Sequence, residues 1–396
     1  MSFTRNVGGF ILAILAVFVF FGCGARTAKE PVEALSVLSS ESILTAMEHA
    51  FEWQNHNLVS EAPLPDGGFQ EVRDTEWVRG AYWAGVMAAS AATGNPNYLQ
   101  AAIQMSEGNN WQPGPRPRCA DDHCIAQTYV RIFLLEPDER YIDAIVARFD
   151  EMIADPRPGP VVGWSDYESC ENWWWCDALF MAPPTMALVA KATGDSRYLD
   201  HMNARWWETY DFLYDPEEHL WFRDGRFVIQ EDGSGPRTKN GFKVFWSRGN
   251  GWVFAGLAQV LDVMPADYPD RPRYEELFRE MAASLVAIQG EDGLWRSSLH
   301  DPEEFSTPES SGTGFFTYGL AWGVNNGLLE AATYLPPARK GWEGLNWAIQ
   351  PDGRLGWVQQ IGYDPREDAA DDSMAYGTGA FLLAGSELLK LAGPTE

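Results

Sequence analysis

Two stretches of this chain repeat one another, MAASAATGNPNYLQAA around Gly94 and ALVAKATGDSRYLDHM around Gly194. In each, an alanine-rich apolar run stops at Thr-Gly, a short polar turn follows, and a Tyr-Leu pair opens the next amphipathic run. Glycine ends a helix readily because it adopts the left-handed conformation without steric cost, so each stretch is the bend of a helical hairpin. Weaker copies stand at LLEPDERYIDAI, VMPADYPDRPRYEELF and ATYLPPARKGWEGLNWAI. The aligned aromatics, Tyr98, Tyr141, Tyr198, Tyr274 and Trp342, recur at intervals of about 43 to 76 residues, the scale of repeated helical units. With an opening helix around Ser42 to Trp53 and the closing GTGAFLLAGSELLKLAG, there are helices for about six hairpins. The expected fold is all-α, an (α/α)6 toroid with short β-like loops over one mouth. LPDGGFQ, GEDGLWR and QPDGRLGWVQ each place Asp-Gly, a tight-turn pair, before a large apolar residue and belong to those loops.

The chain has 396 residues, 45% of them hydrophobic and 13% aromatic, which is enough to bury one large core. Residues 1–22 read as an export signal, with Arg5 supplying the positive charge and Gly8 to Phe21 the apolar core. Gly22 before Cys23 points to lipoprotein processing with Cys23 lipidated, although Phe20 departs from the usual leucine and leaves a plain secretory signal open. Residues 23–40 read as a polar tether and 41–396 as a single catalytic domain. The expected location is exported, as a periplasm-facing or outer-membrane lipoprotein or else secreted to the periplasm. Cys119, Cys124, Cys170 and Cys176 remain after the tether, either as two disulfides with three pairings open or as buried thiols. Zinc spacing is absent. A net charge of -27 argues against nucleic acid and against any membrane contact except a lipid anchor. An anionic substrate would need local arginines to overcome that field.

Chemistry concentrates at ENWWWCDALFMAPP, where three tryptophans lead to a lone carboxylate, Asp177, before an apolar run. Aromatic faces hold pyranose rings, and low polarity raises a carboxyl pKa, as proton donation to a sugar requires. The bland alternative is that Asp177 caps a helix. In ADDHCIAQTYVRIFLL, Asp121, Asp122 and His123 open a helix, again as caps or as site residues. In FWSRGNGWVFAGLAQVL, Arg248 between Trp246 and Trp252 offers a planar fork for a carboxylate flanked by two stacking rings; the alternative is a core helix start with Arg248 in a structural ion pair. The hydroxyl-rich TPESSGTGFFTYGLAWG around Ser310 either donates to sugar hydroxyls or caps. No Ser-His-Asp pattern, nucleotide fingerprint or metal cluster is legible, so no metal and no cofactor is expected.

Taken together, W-C-D-A-L-F-M ending at Met181, D-D-H-x-x-x-Q-T-Y ending at Tyr129 and W-S-R-G-N-G-W from Trp246 to Trp252 resemble glycoside hydrolase family 105, the unsaturated rhamnogalacturonyl and related glycuronyl hydrolases. The W-x-R-G segment from Trp77 to Gly80, the Thr-Gly hairpins and the Ser-Gly-Thr-Gly loop extend the resemblance over most of the chain. It implies a substrate with a 4,5-unsaturated uronic acid at its non-reducing end, left by an upstream polysaccharide lyase. It further implies that Asp177 protonates C4 while water adds at C5, and that Asp122 orients the ring and the water. Trp175, Trp246, Arg248 and Trp252 match pocket-lining positions, and His123 stands beside the second aspartate as a further binding candidate. Where rhamnogalacturonan-acting members carry a tyrosine-histidine pair, this chain reads LWFRD, placing Arg223 to meet a sulfate or second carboxylate and raising sulfated polymers such as ulvan; the alternative is that Arg223 pairs with Asp224 or another local acid and never meets substrate. The alternatives are an ordinary (α/α)6 glycosidase or lyase, and a non-catalytic glycan-binding lipoprotein.

Overall fold

The computed structural model describes residues 38–156, 170 and 172–392. Both Thr-Gly stops form as read. Gly94 and Gly194 take φ of 66° and 73°, and their N–H groups return to the carbonyls of Ser90 and Ala190, closing α2 (Trp77–Thr93) and α7 (Pro183–Thr193). Each stop turns the chain into an antiparallel partner, α3 (Pro96–Gly108) and α8 (Arg197–Leu213). The Asp-Gly turns form as well, with Gly67, Gly293 and Gly353 at φ of 86°, 85° and 96°.

Two kinds of helix alternate along the chain, and their burial tells them apart. In α8 the buried positions Tyr198, Leu199, Met202, Arg205, Trp206, Thr209 and Leu213, with Trp207 at their edge, form one stripe at helical spacing, the mark of a helix with one face in water. In α9 (Ser247–Val263) every residue from Ser247 to Leu261 is buried. The inner type comprises α2, α4 (Ala126–Leu135), α7 with the short α6 (Ala178–Met181) before it, α9, α11 (Ser310–Asn325) and α13 (Ala375–Leu391); the outer type is α1 (Ser40–His56), α3, α5 (Asp143–Ala154), α8, α10 (Arg271–Ala287) and α12 (Ala331–Ala348). Successive inner helices pack side by side, and α13 closes the circle against α2. That closure depends on glycine: a Cβ at Gly85 would lie 2.3 Å from the Gly379 carbonyl oxygen. The expected (α/α)6 toroid is the observed fold.

Among the described residues the strands form two short antiparallel pairs. β1 (Glu61–Pro63) with β2 (Phe69–Glu71) carries the Gly67 turn, and β3 (Tyr214–Asp215) pairs with β4 (Leu220–Trp221). At the N-terminus Ser39 accepts from Ser42 N–H at 3.2 Å and caps α1, so helix begins at Ser40, where the tether was expected to end. The export signal and Cys23 lie outside the described residues.

Candidate active site

Asp177 stands at the N-terminal edge of α6 with φ −59° and ψ −30°, and its side chain makes no capping bond. The carboxylate is instead presented to a cavity of about 220 Å³ walled by Trp77, Trp174, Trp175, Asp121, Arg223 and Tyr363, among others. Local pairing brings these groups together. Trp175 bridges antiparallel to Asp224, and Cys176 N–H donates to the Arg223 carbonyl at 2.8 Å. Arg223 thereby sets its Nε 3.3 Å from Asp177 Oδ2 and its Nη1 2.9 Å from Asp224 Oδ2, with its guanidinium 5.7 Å from the Trp174 ring centre. Arg223 Nε nevertheless makes no hydrogen bond, although it is buried. Burial alone would push the Asp224 carboxyl up, but Arg226 and Arg223 hold it below the usual range. The basic charge at the pocket wall is thus anchored by a fully buried carboxylate behind it. Of the three tryptophans, Trp173 is core, its carbonyl accepting from Thr209 Oγ1 at 2.8 Å, while Trp174 and Trp175 face the cavity.

The second aspartate is displaced by one position from the expectation. Asp122 is 1% exposed and does not reach the cavity: its Oδ2 accepts from Arg116 N–H at 2.7 Å and Arg116 Nε at 2.8 Å. Asp121 lines the cavity. The two acids share a short 310 turn, Ala120–His123, on which neighbouring side chains point in different directions. Burial lifts the Asp121 carboxyl to about 7, with Arg116 opposing and the charges of Asp122 and Asp177 adding to the lift. His123 is likewise not a pocket residue. It is fully buried, Nε2 lies 2.8 Å from the Pro117 carbonyl oxygen, the ring packs edge-on to Phe149, and burial drops its pKa to about 4.

Arg248 and its tryptophans also sit elsewhere than expected. The guanidinium is fully buried between the rings of Trp246 and Tyr376, 4.5 and 4.7 Å from their centres. Nη1 donates to the Gln359 carbonyl at 2.5 Å and Nη2 to that of Gln360 at 2.9 Å. Trp246 Nε1 adds a bond to Gln359 Oε1 at 2.9 Å. The fork is filled by two backbone carbonyls rather than by a ligand carboxylate or a structural acid. Its effect on the cavity is indirect, since Ile361, Gly362 and Tyr363 directly after these carbonyls form part of the wall. Trp252 is core, in contact with Phe180 and Phe315 at 4.8 and 4.4 Å and edge-on to Trp77 at 6.1 Å. The hydroxyl-rich loop serves as a helix start: Glu309 caps α11 through Ser311 and Gly312 N–H, and Ser310 Oγ donates to the Gly356 carbonyl at 2.8 Å.

Of the aromatic wall residues, Trp77, Trp174 and Tyr363 were not assigned to the site from the sequence. Trp77 lies in the W-x-R-G segment already singled out, and its stacking on Tyr376 at 5.3 Å positions its ring. Trp174 belongs to the tryptophan run. Tyr363 stands in a loop with no distinguishing pattern, and nothing in the sequence marks it. Among the described residues there is no cluster of three or more His, Cys, Asp or Glu able to hold a metal.

Residues 47–392 match the model of the family described as Glycosyl Hydrolase Family 88. The unsaturated 3S-rhamnoglycuronyl hydrolase of Formosa agariphila is 43% identical over 390 residues, covering 96% of this chain and 98% of that protein. A protein of the same name from an Alteromonas species is 37% identical, covering 86% and 84%. A solved family 88 glycosyl hydrolase from Bacteroides vulgatus superposes with a TM-score of 0.77 at 32% identity, covering 89% and 99%. A possible family 105 member from Salmonella enterica shares the fold with a TM-score of 0.72 at 21% identity, covering 94% and 100%.

Proposed function

We propose that this chain, which belongs to Glycosyl Hydrolase Family 88, cleaves its substrate by hydrating a carbon–carbon double bond with Asp177 as the proton donor. The chain is an enzyme, an unsaturated uronyl hydrolase; the chemistry and the substrate's second sugar are the steps inferred here. The observation that carries them is a single uncapped carboxylate, Asp177, at the wall of an aromatic cavity that also holds Asp121 and Arg223.

A 4,5-unsaturated uronate is a vinyl ether, since the ring oxygen conjugates with the double bond. Protonation at C4 therefore places positive charge at C5, shared with the ring oxygen, and water adds there. The resulting hemiketal opens and the neighbouring sugar leaves. No nucleophile at a fixed distance from the acid is needed, which separates this site from the paired-carboxylate glycosidases. Trp174, Trp175 and Trp77 offer faces for the sugar rings. Asp121, poised near 7, is suited to hold a proton or a water beside Asp177.

The substrate class follows from Arg223 and from the relatives' names. An unsaturated uronate joined to rhamnose carries a carboxylate, and a sulfate or carboxylate on the second sugar would draw the Arg223 guanidinium from its pairing with Asp177. Products of a lyase acting on a sulfated polymer such as ulvan fit that chemistry. We further place the enzyme outside the cytoplasm, tethered through lipidated Cys23; Cys23→Ala is expected to move it from the membrane fraction to the soluble fraction. The reaction is tested by the loss of ultraviolet absorbance of the conjugated double bond when the enzyme meets lyase-generated oligosaccharides. An ordinary glycosidase would release sugar and leave that absorbance intact.

A further inference from the structure

A second cavity, of about 210 Å³, adjoins the active-site cavity and shares Leu64, Pro65 and Ile361 with its wall. Its polar groups all come from the loop between α12 and α13, among them Gln360, Arg366, Glu367, Asp368 and Asp372. Most of these are engaged within the protein. Glu367 accepts from Ser306 and Thr307 N–H at 3.2 and 3.3 Å, Asp372 accepts from Ala369 N–H at 2.8 Å and Gln360 Nε2 at 3.3 Å, and Arg366 Nε donates to Asp364 Oδ1 at 2.8 Å. Asp368 differs. Its N–H donates to Thr307 Oγ1 at 2.9 Å and the residue is only 6% exposed, yet its carboxyl Oδ2 is buried without a hydrogen-bond partner. A buried polar oxygen left unmet costs stability, so its retention at a cavity wall points to a partner from outside the chain. Burial lifts the carboxyl to about 9, with Glu309 adding, Arg248 opposing and Asp372 and Glu367 adding further. At neutral pH it therefore carries its proton and offers both a donor and an acceptor.

We propose that the second cavity is the subsite for the third sugar of the substrate, with the Asp368 carboxyl hydrogen-bonded to a hydroxyl of that ring. The assignment rests on the proposed function, in which the first cavity holds the unsaturated ring and Arg223 meets the sugar next to it. A saccharide chain that leaves the first cavity past Leu64, Pro65 and Ile361 enters the second. A pyranose hydroxyl donates and accepts, as a protonated carboxyl does, so the ring supplies the partner that Asp368 lacks. The Arg248 brace serves both cavities: Gln359 and Gln360, whose carbonyls it holds, line the second, and the next three residues line the first.

The test compares wild type, Asp368→Ala and Asp368→Asn on the unsaturated disaccharide and the unsaturated tetrasaccharide of a lyase digest of ulvan. KM and kcat are taken from chromatographic release of the shortened saccharide, so they are obtained whichever bond the reaction consumes, and ultraviolet absorbance is followed in parallel. Asp368→Ala is expected to raise KM for the tetrasaccharide about threefold to tenfold and to leave KM for the disaccharide at the wild-type value. Its Tm should be no lower than that of wild type, because the buried carboxyl it removes has no partner at Oδ2. Asp368→Asn keeps a donor and an acceptor and is expected to recover most of the tetrasaccharide affinity. An unchanged tetrasaccharide KM in Asp368→Ala overturns the subsite, as do equal rises for both substrates or a failure of Asp368→Asn to recover. Absorbance preserved during release would instead overturn the double-bond chemistry alone, on which the comparison of KM values does not depend.

Discussion

At the scale of single residues, Asp177 and Arg223 form one unit at the cavity wall, with Arg223 Nε 3.3 Å from Asp177 Oδ2, and the proposed reaction asks Asp177 to deliver a proton. Asp177→Asn keeps the shape of the side chain and removes the proton, so turnover should fall by about 10² to 10⁴ while circular dichroism and Tm stay near wild type. The neighbouring acids should separate cleanly. Asp121→Asn is expected to lose most activity and keep its fold, and Asp122→Asn to lower Tm, because it replaces the buried carboxylate that accepts from Arg116 N–H and Nε with a neutral group. Asp121 also predicts a pH dependence. Its folded pKa of about 7 lies above the unfolded value of about 3.9, so its contribution to stability is complete below the unfolded pKa and is lost as pH rises through 7. Titrating Tm between pH 4 and 8 for wild type and Asp121→Asn should show that loss in wild type alone. That Asp177, Trp175 and Arg223 would gather at one cavity was legible because an acid among tryptophans is an unusual residue choice and the resemblance singled out the arginine of LWFRD. The order of Asp121 and Asp122 was not, since a turn decides which of two adjacent acids faces the cavity and identical side chains carry no trace of it.

At the scale of elements, the structure turns a ligand-binding motif into a brace. Arg248 holds the carbonyls of Gln359 and Gln360, more than a hundred positions along the chain, and the next three residues form cavity wall. A planar fork serves two carbonyls as well as one carboxylate, so residue type alone could not separate the readings. Lysine cannot span both acceptors. Arg248→Lys should therefore cost about 1 to 3 kcal/mol in urea unfolding and raise KM through the displaced wall. A wild-type unfolding midpoint paired with a raised KM would instead place the guanidinium on the substrate. The hairpin elements themselves were readable because Thr-Gly and Asp-Gly act through local backbone conformation, which neighbours in sequence determine.

For the whole molecule, six helical hairpins could be counted from repeats, and the ring follows from the need of each inner helix to bury its full circumference. How the ring closes was hidden, since the contact of Gly85 with Gly379 joins residues near opposite ends of the chain and leaves only two unremarkable glycines as a mark. The closed ring gathers loops from several hairpins at one cavity, so Asp121, Asp177, Arg223 and Tyr363 meet although they are widely spaced in sequence. Its surface, at a net charge of -27, repels anionic sugars, and a basic group at the wall must compensate locally. Arg223→Gln should raise KM for sulfated substrate more than for its desulfated form, and added salt should narrow the gap in wild type. The central claim is that the double bond itself is consumed through Asp177. Its most direct test follows the ultraviolet absorbance of lyase-generated, sulfated unsaturated oligosaccharides with wild type and Asp177→Asn. The account predicts that absorbance decays in step with sugar release for wild type and stays nearly constant for the variant; sugar release by wild type with the absorbance preserved, or decay at the wild-type rate in Asp177→Asn, would contradict it.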